Sequence, residues 1–92
     1  MNAVVLKKEM VPALTFPSQD VLIDFESKRN RFFDLMRAMR LGNLFKHKVK
    51  LYFMDVFKKF CVETTIWHAN TKHVTLKGGV IIPVNRILKV EI

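Results

Sequence analysis

Apolar positions recur with the period of a helix between Pro17 and Gly42, and from Lys46 onward apolar and polar residues alternate with a period of two. Ser18 or Asp20 offers a cap just after Pro17, and Leu41-Gly42-Asn43 places a glycine where a helix end favours one. The spacing therefore predicts a helix from Gln19 to Leu41. At about 100° per residue, Val21, Leu22, Phe25, Phe32, Met36 and Met39 share one side, opposite Glu26, Asn30, Asp34 and Arg37. Such a helix must dock on an apolar surface. Arg29 falls inside the stripe, where its head either snorkels to the edge, the reading favoured, or meets a carboxylate partner or a ligand.

In the period-two region, Val49, Leu51 and Phe53 share one face and Lys48, Lys50, Tyr52 and Met54 the other. After a turn at Asp55 to Lys59, a second strand from Phe60 to Trp67 sets Val62, Thr64 and Ile66 against Cys61, Glu63, Thr65 and Trp67. A turn at Ala69 to Lys72 leads to a third strand, Val74 to Lys77. Gly78-Gly79 then predicts a two-residue hairpin, because the tight turns that match strand twist need positive φ. The fourth strand, Val80 to Val84, contains Pro83, which cannot donate to a ladder and belongs at an edge. Pro83 to Arg86 turns into a last strand, Ile87 to Ile92. Residues 1–17, with Pro12 and Pro17, read as an N-terminal arm that packs partly, and 18–92 as one domain. The expected fold class is mainly β with one N-terminal α-helix, a small five-stranded barrel capped or flanked by the helix.

This order of elements resembles the small SH3-like barrels, including the Sm-like proteins, with Pro83-Val84-Asn85-Arg86 as the one-turn helix before the last strand. The likeness covers about Asn43 to Ile92 and is one of topology. The glycine-centred and aspartate-centred Sm signatures are missing between Lys48 and Leu76, so it carries no binding residue over. The chain is also similar to short uncharacterised bacterial proteins of a Bacteroidetes type. The shared pieces are Val62 to Trp67, Leu76 to Gly79, Ile82-Pro83 and Arg86-Ile87, with Arg40-Leu41-Gly42-Asn43 upstream. That similarity implies a family without an assigned activity.

Composition adds a core and a charge. Eight Phe, five Met, one Trp and one Tyr in 92 residues exclude a disordered chain. The net charge is +8, and Lys28 to Lys50 alone holds eight basic residues against Asp34. Such an excess attracts polyanions. A single cysteine, Cys61, excludes an internal disulfide and a cysteine zinc cage, and no apolar run approaches a membrane span. A cytoplasmic protein with no membrane partner is expected.

Catalytic chemistry finds little support. Gly78-Gly79 lacks the following helix and the Lys-Ser/Thr of a phosphate loop, Cys61 has no base beside it, and no pair of carboxylates shares a pocket. His68 and His73 bracket a turn and would face each other across a hairpin, but no third ligand is near in sequence. No catalytic residue, metal or cofactor is expected.

The basic face with its aromatics is what remains. Arg37, Arg40, Lys46, Lys48 and Lys50 would contact phosphates, and Tyr52 or Trp67 would stack on bases, the combination that holds RNA or single-stranded DNA. Lys77 and Arg86 extend that surface. In the alternative, Tyr52 and Trp67 lie under the helix as its docking platform. A reading of a second class makes the protein an interaction or self-assembly module, a homo-oligomer or the binder of a protein partner, through the apolar helix or an edge strand.

Overall fold

The computed structural model describes residues 3–92; residues 1 and 2, part of the expected arm, lie outside them. Among the described residues, seven strands form two sheets beside one long helix, α1 (Phe25–Phe45). The first sheet has the order β1-β3-β2-β7, built from β1 (Val4–Val5), β2 (Val49–Met54), β3 (Lys59–Thr64) and β7 (Ile87–Glu91). The second is β4-β5-β6, from β4 (Ile66–Ala69), β5 (His73–Leu76) and β6 (Ile81–Pro83).

The long second strand predicted from sequence is therefore two. β3 pairs with β2 from Met54↔Lys59 to Val49↔Thr64, then Thr65 interrupts, and β4 enters the other sheet. Thr65, although in a break, is buried, and its carbonyl accepts from Lys77 N–H at 2.9 Å. That bond ties the end of β5 to the bend. The ladders form two separate sheets, and no pairing among the described residues closes them into one ring.

Alternation is clearest in β2, where Val49, Leu51 and Phe53 are buried and Phe53 stacks on Phe60 with centroids 5.8 Å apart. Val62, Ile66, Val74, Leu76, Ile82 and Ile87 complete the layer between the sheets and α1. The N-terminal segment adds to it. β1 runs parallel to β3 at the sheet edge, and a 3-10 helix over Lys8–Ala13 buries Val11. Phe16 follows against Phe53, with centroids 6.0 Å apart.

The helix starts six residues later than its pattern predicts. The carboxylate of Asp20, a candidate cap, instead accepts from Leu22 N–H at 2.8 Å and from both terminal nitrogens of Arg31. Val21 N–H donates to Asn85 O at 2.9 Å, which holds this stretch against the turn before β7. Asp24 is the true N-cap and accepts from Ser27 N–H at 2.9 Å. Those hydrogen bonds from Ser27 hold the Asp24 carboxyl below the usual carboxylate range.

The end of the helix also differs from expectation. Gly42 does not stop it; the chain continues to Phe45 and closes on Lys46, whose φ of 54° and ψ of 33° are left-handed. Gly42 serves packing. A Cβ there would stand 2.5 Å from the Ile66 carbonyl oxygen, and only glycine permits that approach. Beside it, Ala69 N–H donates to Met39 Sδ at 3.1 Å. Together Gly42 and Met39 seal the edge of β4 that β5 leaves unpaired, where another strand would otherwise add.

The buried side of α1 is Arg31, Leu35, Ala38 and Gly42, about 100° round the axis from the predicted stripe. Phe32, Met36 and Met39 are half-buried on the flank, and Phe25 stays 76 % exposed. At its C-terminal end the helix turns Gly42 inward because it lies directly against the Ile66 carbonyl of β4, where a larger side chain does not fit.

Arg86, expected on the surface, is buried among backbone carbonyls. Its Nε, Nη1 and Nη2 donate to Met54 O, Gln19 O and Asp55 O at 3.1, 2.7 and 3.1 Å. It joins the β2–β3 turn to the segment before α1. Asp55 stiffens that turn from the other side, its Oδ1 accepting from Phe57 N–H and Lys58 N–H. The glycine hairpin has three residues between the paired Leu76 and Val80 where two were expected. Gly78 and Gly79 both have positive φ, at 90° and 87°, as the turn requires.

Candidate nucleic-acid interface

At the end of α1 the helix, the start of β2, the bend at Thr65 and the β5–β6 loop enclose a cleft of about 400 Å³. Its walls are Gly42, Asn43, Lys46, Lys48, Thr65, Trp67 and Lys77. Each cation reaches it by a different route. Lys46 is brought round by its left-handed backbone, with its N–H donating to Gly42 O at 2.9 Å. Lys48 stands just before β2, and Lys77 just after β5. Thr65 Oγ1 donates to Lys46 O at 3.4 Å, a weak bond that links the bend to the helix end. Trp67 forms an open wall, with half of its surface in water. The helix therefore does not cover it.

Three lysines line this cleft and no carboxylate does. Like-signed cations on low-dielectric walls focus the field and raise the local concentration of anions. A flat indole beside them offers the π-face on which a base stacks. Lys46 is also the one non-glycine residue with positive φ among those described, a conformation costing about 1–2 kcal/mol.

Of the seven residues singled out from sequence, the fold brings Lys46, Lys48 and Trp67 into one cleft, together with Lys77, which was expected to extend the surface. Lys50 and Tyr52 lie elsewhere, because β2 pairs with β3 and the bend carries Trp67 into the other sheet. Lys50 stands between Glu63 of β3 and Glu91 of β7 in the ladder, so acids flank its charge on both sides. Tyr52 stands between Cys61 and Lys89, half-buried in a second hollow with Ala3, Val5, Lys50, Cys61 and Glu63. Desolvation, then the neighbouring Cys61 and Glu91, pushes its hydroxyl above the ordinary tyrosine value. Arg37 and Arg40 are exposed on the outer side of α1, and Arg37 makes a loose contact with Asp34 at 3.8 Å. Asn43 was missed in the sequence reading, for it carries no charge and its place depends on where the helix ends.

His68 is in register with Thr75, and His73 with Pro83, so the two histidines are not cross-strand partners. Among the described residues no three His, Cys, Asp or Glu side chains converge as metal ligands, and no helix is long and apolar enough to cross a membrane. Comparison of the chain with protein-family models, with curated proteins and with solved structures found no match.

Proposed function

We propose that the chain is a non-catalytic module that binds single-stranded nucleic acid, RNA or DNA, in the cleft at the end of α1. The observation that carries this is the meeting of Lys46, Lys48, Lys77 and the half-exposed Trp67 around one opening with no acid in its wall. The lysines neutralise phosphates and the indole stacks on a base. Arg37 and Arg40 raise the general positive potential without lining the cleft. We also liken the order of helix, strand, bent strand, short strands, 3-10 helix and final strand to that of small SH3-like and Sm-like barrels. We read the two sheets as an open version of that plan, and this likeness supports the proposal only by analogy.

Trp67 is the single tryptophan, so its fluorescence reports directly on the cleft. Titration with a twelve-nucleotide oligo-uridylate or oligo-thymidylate should quench it, and log affinity should fall with log salt at a slope of about −2, for three phosphates on a single strand. The triple variant Lys46→Ala, Lys48→Ala, Lys77→Ala should bring the slope close to zero. Trp67→Ala, followed by anisotropy of a labelled oligonucleotide, should keep the slope and lose about 1–3 kcal/mol of affinity. No binding by the wild-type protein at about 50 mM salt, or a triple variant that binds unchanged, sinks the proposal.

Lys46→Gly separates binding from stability. Glycine takes the left-handed conformation without steric cost, so the variant should resist urea better by up to about 1 kcal/mol. Its affinity for the oligonucleotide should fall, because one phosphate contact is gone. A variant both less stable and equally tight would contradict the role assigned to this residue.

A further inference from the structure

The outer surface of α1 carries a ridge that lies outside the cleft and meets the core only through the half-buried Met36. Phe25, Arg29, Phe33, Met36, Arg40 and Leu44 follow one another at steps of three and four residues along about 28 Å of helix. Phe25, Phe33 and Leu44 are 76, 59 and 66 % exposed, and both arginines are exposed as well. Phe33 is propped edge-on by Phe32, with ring centroids 5.7 Å apart, so it stands on a supported base. A ridge of alternating aromatic, aliphatic and guanidinium groups at helical spacing fits another helix laid along it.

Charge decides which helix. A second copy packed antiparallel about a two-fold axis sets Phe25 on Leu44 and Phe33 on Met36, but it also sets Arg29 on Arg40 twice. Packed parallel, it sets Arg29 on Arg29 and Arg40 on Arg40. Either arrangement brings guanidinium groups together as the interface loses water, in a protein that already carries +8. Carboxylates at those two places turn the same contacts into favourable pairs. Glu26 and Arg37 lie at the border of the ridge and leave its centre basic. We propose that this face of α1 docks an acidic amphipathic helix of another protein, with carboxylates eleven residues apart over Arg29 and Arg40 and apolar residues between them on Phe33 and Met36.

The double variant Arg29→Glu, Arg40→Glu can itself serve as the acidic partner, since in either orientation it sets Glu against Arg of the wild-type chain. Sedimentation of an equimolar mixture of variant and wild type should show a one-to-one heterodimer. That heterodimer should be at least about tenfold tighter than self-association of either protein and should weaken between 50 and 300 mM salt. Phe33→Ser in the wild-type component should abolish it, which separates the ridge from general attraction to the basic cleft. Both changed arginines are exposed, so far-UV circular dichroism should be unaltered. Absence of a heterodimer, or a wild-type homodimer equally tight, overturns the proposal. It is equally overturned if the wild-type protein floats with phosphatidylserine vesicles and the double variant does not, or if the double variant loses oligonucleotide binding as fully as the triple lysine variant.

Discussion

Asp20→Ala is expected to destabilise the protein by about 3 kcal/mol, the lower end of the cost of leaving a buried charge without its partner. The Arg31 side chain is 6 % exposed, and its Nη1 and Nη2 donate to the two Asp20 oxygens at 2.9 and 2.8 Å. Only the Ile87 carbonyl, 3.0 Å from Nη1, would still bond it, because Nε has no partner. Asp20 keeps 23 % of its side chain in water, which is why the lower end applies. For a domain of this size, whose total stability is on the order of 5–14 kcal/mol, that is a large fraction. Urea unfolding checks it, with Asp20→Leu, Arg31→Met as the comparison. Removing both charges should cost less than removing one. An Asp20→Ala protein within 1 kcal/mol of wild type would show that the pair holds nothing in place.

The same pair sets an acid limit. Burial pushes the Asp20 carboxyl up, and the bonds from Arg31 and from Leu22 N–H outweigh it, so the group ends below the usual aspartate value. A carboxyl depressed in the folded state stabilises the fold above its unfolded pKa, and that stability is lost as pH falls through the folded value. Wild-type stability should therefore decline below about pH 4, and Asp20→Ala should lack that part of the decline.

Gly42→Ala is expected to cost about 2 kcal/mol net, against the usual rule for helices. Alanine inside a helix gains about 1 kcal/mol over glycine. Here the new Cβ meets the Ile66 carbonyl oxygen at 2.5 Å and Thr65 Cγ2 at 3.0 Å. A backbone oxygen cannot rotate away, so the penalty falls at the upper end of the roughly 1–3 kcal/mol typical of overpacking. The helix must lift from β4, and since Gly42 and Thr65 both line the cleft, oligonucleotide binding should weaken along with stability. An alanine variant more stable than wild type would mean that the close approach of α1 to β4 is not maintained.

Much of the architecture was legible in the residue pattern. β2 follows its alternation residue by residue, the turn at Asp55 forms where the pattern breaks, and Gly78 and Gly79 take the positive φ that their pairing implies. The helix was legible in existence and wrong in phase. Its pattern has two apolar sides, Phe25 with Phe32 and Met36 on one and Leu35 with Ala38 on the other, and periodicity cannot choose between them. The choice depended on the neighbours: Ile66 O of β4 admits only Gly42 at the helix end, and Asp20 and Ile87 O hold Arg31 inward.

The basic, aromatic-bearing character of the candidate site was present in the sequence, because net charge and the placement of Lys46, Lys48 and Trp67 are properties of the chain itself. Which of those groups meet was a matter of tertiary structure. Alternation assigns a side chain to a face, but it does not show where a strand leaves one sheet for another. The bend at Thr65 separates Trp67 from Tyr52 and Lys50 and brings it to Lys77. Arginine shows the same division. Arg31 and Arg86 read like any other cations until buried carbonyls and a carboxylate surround them, whereas Arg29 and Arg40 stay outside because the helix turned the side of Arg31, Leu35, Ala38 and Gly42 inward. Charge and periodicity are local and additive along the chain, and the partner of each charge is set by contacts between residues far apart in it.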